Sequence, residues 1–155
     1  KFNAEVRHFE IKKGVDLCVL FSKDMTEHPY IKIADDAPKV GESVLNIASP
    51  GGIFHPPAVP ILSGIYSGTM QPENTDMYTI PAIGGSSGSP IINKNSRLVG
   101  IIFASSIVFS HMCIATSYKE MMLFLDKVSN LKIKRKSHAI PKFKSIKEII
   151  DSIKI

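Results

Sequence analysis

Turn signals set the length scale of this fold. Through residues 1–116, short runs rich in Val, Ile, Leu and Phe are cut by Lys12-Lys13-Gly14, Pro50-Gly51-Gly52, His55-Pro56-Pro57 and Gly84-Gly85. Punctuation this dense, with no helical period between the breaks, predicts an all-β body, a barrel or a sandwich. The expected strands are residues 2–11, 15–21, 43–48, 58–67, 77–80, 90–93, 97–104 and 107–116, with a short one near 30–33. Pro60 confines the start of the 58–67 run to a sheet edge or a bulge. The pattern changes at Ser117. Tyr118, Met121, Met122, Leu125 and Val128 recur at helical spacing, and Ser117 with Glu120 three residues on can cap the start. Beyond a basic stretch at 132–136 and Pro141, Ile146, Ile149, Ile150 and Ile153 predict a second amphipathic helix behind Ser145.

A length of 155 residues fits one domain with a real core, and 44% hydrophobic content excludes a disordered chain. No apolar run approaches the roughly 18 residues of a membrane helix, and no signal peptide opens the chain. The chain begins with Lys rather than Met, so residue 1 is expected to mark a cut. The net charge of +5 is unevenly placed. Residues 1–126 carry 10 Lys and Arg against 12 Asp and Glu, whereas residues 127–155 carry 9 against 2. The basic character belongs to the tail, which reads either as a solvated linker and helix or as a weak contact for nucleic acid or an acidic surface. Cys18 and Cys113 lie within apolar runs and are expected to be buried free thiols, with a disulfide between them as the alternative. Scarce cysteine suits a reducing, cytoplasmic compartment. The histidines and cysteines show no paired ligand spacing, and the Gly-rich segment lacks the Lys of a phosphate loop, so no metal or cofactor is expected.

The segment that points to chemistry is Gly84-Gly85-Ser86-Ser87-Gly88-Ser89-Pro90. Small residues on both sides of Ser87 let the backbone turn sharply, expose the hydroxyl, and leave room for a carbonyl facing convergent N–H groups. The competing reading is a plain Gly/Ser linker. Against it, the segment is short and runs directly into Pro-Ile-Ile and a further strand.

These residues resemble the chymotrypsin-like (trypsin-like) serine proteases, particularly their compact high-temperature-requirement and viral branches. Gly85-Ser86-Ser87-Gly88-Ser89-Pro90 is similar to the family's G-x-S-G-G-P motif, departing from it at Ser89. Val40-Gly41-Glu42-Ser43-Val44-Leu45-Asn46-Ile47 with Pro50 and Gly51 resembles the V-G-E-x-V-x-x-I-G-x-P-x-G segment, and Ser63-Gly64-Ile65-Tyr66-Ser67 the strand after it. Cys113-Ile114-Ala115-Thr116-Ser117 and its helix are similar to the family's closing strand and helix. The likeness runs in order through residues 15–125.

The resemblance implies a double β-barrel whose first barrel is incomplete, with residues 1–39 as its remainder and linker. Residues 40–128 would form the second barrel and closing helix, and 129–155 a basic appendage. It implies a serine endopeptidase acting on polypeptides through a Ser-His-Asp triad, with Ser87 as nucleophile and the N–H groups of Gly85 and Ser87 as oxyanion hole. Gly14-Val15-Asp16-Leu17-Cys18 is similar to the segment supplying the triad acid, and Asp16 within an apolar strand is expected to need a partner against desolvation. The alternative is a cap on the Lys12-Lys13-Gly14 turn. Only His8 precedes Asp16, inside a strand expected to hairpin onto 15–21, so the general base is expected upstream of residue 1. His28 and His55 read as solvated loop histidines and His138 as part of the tail. Substrate is expected to meet Ile80 and Pro81 on the pocket floor, Phe103, Ala104 and Ser105 on one wall, and His111 on another. His111 reads either as a buried or half-exposed core histidine or as a reader of Gln or Glu. Residues 78–83 hold no acid, which disfavours Lys or Arg substrates. A compact chain with a basic tail also suits a viral polyprotein product. The rival to an enzyme is an inactive protease-fold binding module.

Overall fold

The computed structural model describes residues 3–25, 28–71, 74–109 and 111–130. The basic stretch, the expected second helix and His138 lie outside them.

Two strands, β1 (Glu5–Lys12) and β2 (Val15–Phe21), form an antiparallel hairpin about the Lys13-Gly14 turn, with Phe9 opposite Cys18 and Ile11 opposite Asp16. Six more strands close into a barrel: β3 (Ser43–Ile47), β4 (Ile61–Met70), β5 (Thr75–Tyr78), β6 (Pro90–Asn93), β7 (Leu98–Ser105) and β8 (Cys113–Thr116). Around the ring the order is β3-β4-β5-β8-β7-β6, every pair antiparallel, with β6 returning to β3 through Asn46 opposite Ile91. Alternation along these strands sends Val44, Tyr66, Tyr78, Ile91, Val99, Ile102, Cys113 and Ala115 inward to one core. Gly64 is demanded by that closure, since a Cβ there would stand 2.6 Å from the Thr79 carbonyl oxygen. Among the described residues the architecture is mostly strand, with a closed barrel and one helix, as the all-β expectation has it.

The helix α1 (Tyr118–Asn130) starts where Ser117 predicts: Ser117 Oγ accepts from the Glu120 N–H at 3.3 Å. The fully buried Asp76 of β5 takes up the Tyr118 N–H at 2.9 Å, and its other oxygen accepts from Thr69 Oγ1 and Tyr66 Oη. Met121 and Phe124 then bury against Val15 and Leu17 of the hairpin, worth roughly 1.5–3 kcal/mol per side chain. The Phe124 ring also stacks on His8, centroids 5.4 Å apart. Within the described part of the linker, the expected strand near 30–33 reduces to one bridge at Ile33, pinned to β7 by Ala34 N–H to Leu98 O and Leu98 N–H to Lys32 O.

Three expectations are corrected. Cys18 is exposed, because period-2 alternation turns Val15 and Leu17 toward the helix and Asp16 and Cys18 away from it. The desolvation expected of Asp16 is therefore absent; it too is exposed. The strand expected over 107–116 begins only at Cys113, and the apolar residues before it form a loop. No helix among the described residues is long and apolar enough to cross a membrane.

Candidate active site

Ser87 sits at the apex of the loop joining β5 to β6, and a set of short local bonds shapes that apex. The Ser86 N–H donates to Ile83 O at 2.9 Å, and Ser89 donates twice to Ser86 O, from its N–H at 3.2 Å and its Oγ at 2.6 Å. The turn is stitched to β7 by Gly88 N–H to Ile102 O at 2.7 Å and Ile102 N–H to Ser89 O at 3.1 Å. Ser86 and Ser89 are buried by this arrangement while Ser87 is exposed, its Oγ donating to Phe103 O at 3.3 Å.

Gly85 is conformationally required. Its φ is +95°, and a Cβ would stand 2.5 Å from Ser49 O. The turn at Pro50–Gly52 packs directly beneath, and the Gly51 N–H donates to Gly84 O at 2.7 Å. Because C=O and N–H point in opposite directions across a trans peptide, fixing the Gly84 carbonyl on Gly51 fixes the Gly85 N–H facing the other way. Among the described residues, no backbone carbonyl accepts from the N–H of Gly85 or of Ser87. Two uncommitted donors beside an exposed hydroxyl are the elements of an anion-stabilising site.

A residue that the sequence reading passed over supports this loop from the opposite strand. Asn46 of β3 is fully buried, and its Nδ2 donates to Ser89 Oγ and to Pro90 O, both at 2.8 Å. Ser89, where the resembling family has Gly, is thus a bridge between loop and barrel. The available signal was weak: a polar residue within the alternating run Val44-Leu45-Asn46-Ile47.

Beside Ser87 lies a cavity of about 170 Å³ lined by Ala82, Ile83, Gly84, Ser86, Ser87, Ile102, Phe103, Ala104 and Ser105. It is smaller than the roughly 300–1,000 Å³ of small-molecule sites and carries no charged side chain. Phe103, Ala104 and Ser105 are therefore brought together with Ser87 around this cavity. Ile80 is not: it is fully buried in the barrel core. Pro81 and His111 are also outside the lining, and His111 is exposed against the Phe109 ring rather than buried in the core.

Asp16 reaches the barrel through its backbone, donating its N–H to the buried Thr116 Oγ1 at 3.3 Å. Its carboxylate lies on the hairpin face away from the helix, whereas His8 is held on the helix face by Phe124. No described geometry brings His8 to Asp16 or Ser87.

A family model described as trypsin-like peptidase domain matches residues 2–101. Among solved structures, an inactive serine-to-alanine mutant of Rv3671c from M. tuberculosis is 17% identical, with TM-score 0.66 over 84% of this chain and 67% of that one. The active form of the Rv3671c protease is 19% identical, with TM-score 0.66 over 82% of this chain and 59% of that one. A serine endoprotease from Yersinia pestis is 25% identical, with TM-score 0.62 over 73% of this chain and 40% of that one. The chain thus spans less than two thirds of each of the last two. No curated protein matches it in sequence. The structures it resembles here are bacterial proteases, which lends the viral polyprotein expectation no support.

Proposed function

The chain belongs to the trypsin-like peptidase domain family, and we propose that it is the catalytic part of a serine endopeptidase. The observation that carries this reading is the apex loop: one exposed serine hydroxyl, two uncommitted N–H groups and a neutral cavity, all held by bonds to β3 and β7. Ser87 Oγ attacks the peptide carbonyl, and the oxyanion is received by the N–H groups of Gly85 and Ser87. Asp16 orients an imidazole that takes the serine proton and passes it to the leaving amine. That histidine comes from chain preceding residue 1 in the whole protein, consistent with the way His8 faces the helix.

The chemistry tests directly on the whole protein. A fluorophosphonate probe should label it, and Ser87→Ala should abolish the label; labelling that survives the substitution overturns the assignment of the nucleophile. Asp16→Asn should lower kcat by about 10⁴-fold with the fold intact, as loss of the orienting acid does in serine proteases generally. An unchanged kcat removes Asp16 from the triad. One observation favours a second reading, an inactive peptide-binding module: no described histidine stands beside Ser87 or Asp16. A whole protein that binds peptides yet takes no label would decide for it.

A further inference from the structure

Ser89, where this chain departs from the family's motif, is the centre of a buried run of hydrogen bonds. Asn46 Nδ2 reaches Ser89 Oγ at 2.8 Å, and Ser89 Oγ reaches Ser86 O at 2.6 Å. Chemistry fixes the direction of both bonds. Asn46 Nδ2 also lies 2.8 Å from Pro90 O, and a carbonyl only accepts, so the atom facing it is the amide nitrogen and not the amide oxygen. Ser86 O likewise only accepts, so Ser89 gives its single hydroxyl proton there and receives Asn46 on a lone pair. Donation therefore runs one way, from β3 through Ser89 into the Ser86 carbonyl. Asn46, Ser86 and Ser89 are 0%, 1% and 8% exposed, so water does not compete for these groups.

The end of this relay is one half of a peptide unit whose other half is the Ser87 N–H. The Ser86–Ser87 unit is trans, so its two polar groups point in opposite directions. Holding Ser86 O on the buried Ser89 turns the Ser87 N–H away from that buried side. A hydrogen bond accepted by an amide oxygen also polarises the amide and strengthens its N–H as a donor. No backbone carbonyl among the described residues accepts from the Ser87 N–H, which is one of the two oxyanion donors in the reading above. The Gly85 donor is set by Gly51; the Ser87 donor is set by Ser89 and, behind it, Asn46. With glycine at position 89, as in the family's motif, Ser86 O would keep only the 3.2 Å bond from the N–H of residue 89.

We propose that Asn46 and Ser89 are positioning residues for the oxyanion: together they aim the Ser87 N–H and make it a stronger donor. This rests on the peptidase reading of Ser87 and names what sets the second donor of that same site. The effect is greatest where negative charge on the substrate oxygen is greatest, in the transition state, and small on bound substrate.

The test uses the whole protein and the rate of fluorophosphonate labelling, in which the Ser87 oxygen bonds to phosphorus, fluoride leaves and the phosphoryl oxygen faces the oxyanion donors. Below the unfolding midpoint of each variant, Ser89→Ala should slow labelling about tenfold, less than the roughly 10²–10³ lost when an oxyanion donor is removed outright. Asn46→Ala should slow it about threefold, because Ser89 Oγ still reaches Ser86 O. In the Ser89→Ala background Asn46→Ala should slow it no further, although the unfolding midpoint falls again with the lost bond to Pro90 O. The pH midpoint of the labelling rate should stay in place throughout, since the relay ends on the donor and not on the proton acceptor. Should Ser89→Ala fail to fold, Ser89→Gly, which restores the motif's residue, should show the same slowing. Variants that lose stability yet label at the unsubstituted rate would make the relay purely structural and overturn the inference. Rate losses that multiply in the double variant, or a displaced pH midpoint, overturn it as well. No label on the unsubstituted protein overturns the peptidase reading, and the inference falls with it.

Discussion

Asn46 exposes no surface at all, yet both hydrogen bonds from its amide nitrogen end on the loop that presents Ser87. A buried donor that loses its acceptor keeps its desolvation cost, so the pair with Ser89 is worth more than either residue alone. Asn46→Ala should cost about 2 kcal/mol and Ser89→Gly about 1 kcal/mol in urea unfolding. The double variant should fall short of their sum. Strict additivity would show that the two side chains are not coupled. The cysteines give a second check at this scale. Burial pushes the Cys113 thiol up to about 12, and partial desolvation with the neighbouring Asp16 carboxylate raises that of Cys18. In the native protein at pH 8 a thiol reagent should modify Cys18 slowly and Cys113 only after denaturation; equal rates would mean that the barrel opens readily. Cys18 also shows why single residues were the hardest part to read from sequence. Leu17-Cys18-Val19-Leu20 is apolar throughout, and an apolar run does not say which of its two faces is covered. The alternation of Val15 and Leu17 inward with Asp16 and Cys18 outward comes from α1, which lies a hundred residues away in the chain. The turn at Gly84–Pro90 was legible because its small residues are contiguous in the sequence. Asn46 was not, because its partners are on another strand.

Among the elements, α1 joins the molecule's two parts. Its buried side holds the hairpin through Met121 and Phe124, and its last turn holds it through Lys127 Nζ, 2.9 Å from Glu10 Oε2. Phe124→Ala should cost about 3–5 kcal/mol, because the ring is 3% exposed and its removal leaves a void against Val15 and Leu17. A loss below about 1 kcal/mol would mean that the helix does not dock there. Glu10 gives the same contact a pH dependence. Hydrogen bonds from Lys12 and then Lys127 hold its carboxyl at about 2, below the usual 4.5. A carboxylate whose folded value is lowered contributes fully above the unfolded value, and that contribution is lost as pH falls from about 4.5 to about 2. Glu10→Gln should therefore flatten acid sensitivity in this window, read from the thermal unfolding midpoint against pH. Elements were more legible than residues. β6 coincides residue for residue with the expected 90–93 strand, and α1 begins right after its cap at Ser117. The run Ile107-Val108-Phe109 was read as strand because its composition is that of a strand. Composition carries no information on whether a neighbouring strand is present to pair with it.

For the molecule as a whole, the described residues divide into a ring without free ends and a hairpin with an open face. Phe9, Ile11 and Leu20, each about 60% exposed, share the hairpin with the exposed Asp16, and a two-stranded sheet has little stability of its own. Amide hydrogen exchange should be slowest in the inward-facing stretches of β3, β6 and β7 and much faster in β1. Protection of β1 equal to that of β7 would show that the two parts unfold as one. The ring has a further consequence in time. β3 and β6 pair with the whole of β4 and β5 lying between them in the chain, and Asn46 crosses that pairing to grip Ser89 and Pro90 across more than 40 intervening residues. A nascent or partly folded chain therefore carries the serine without the scaffold that presents it.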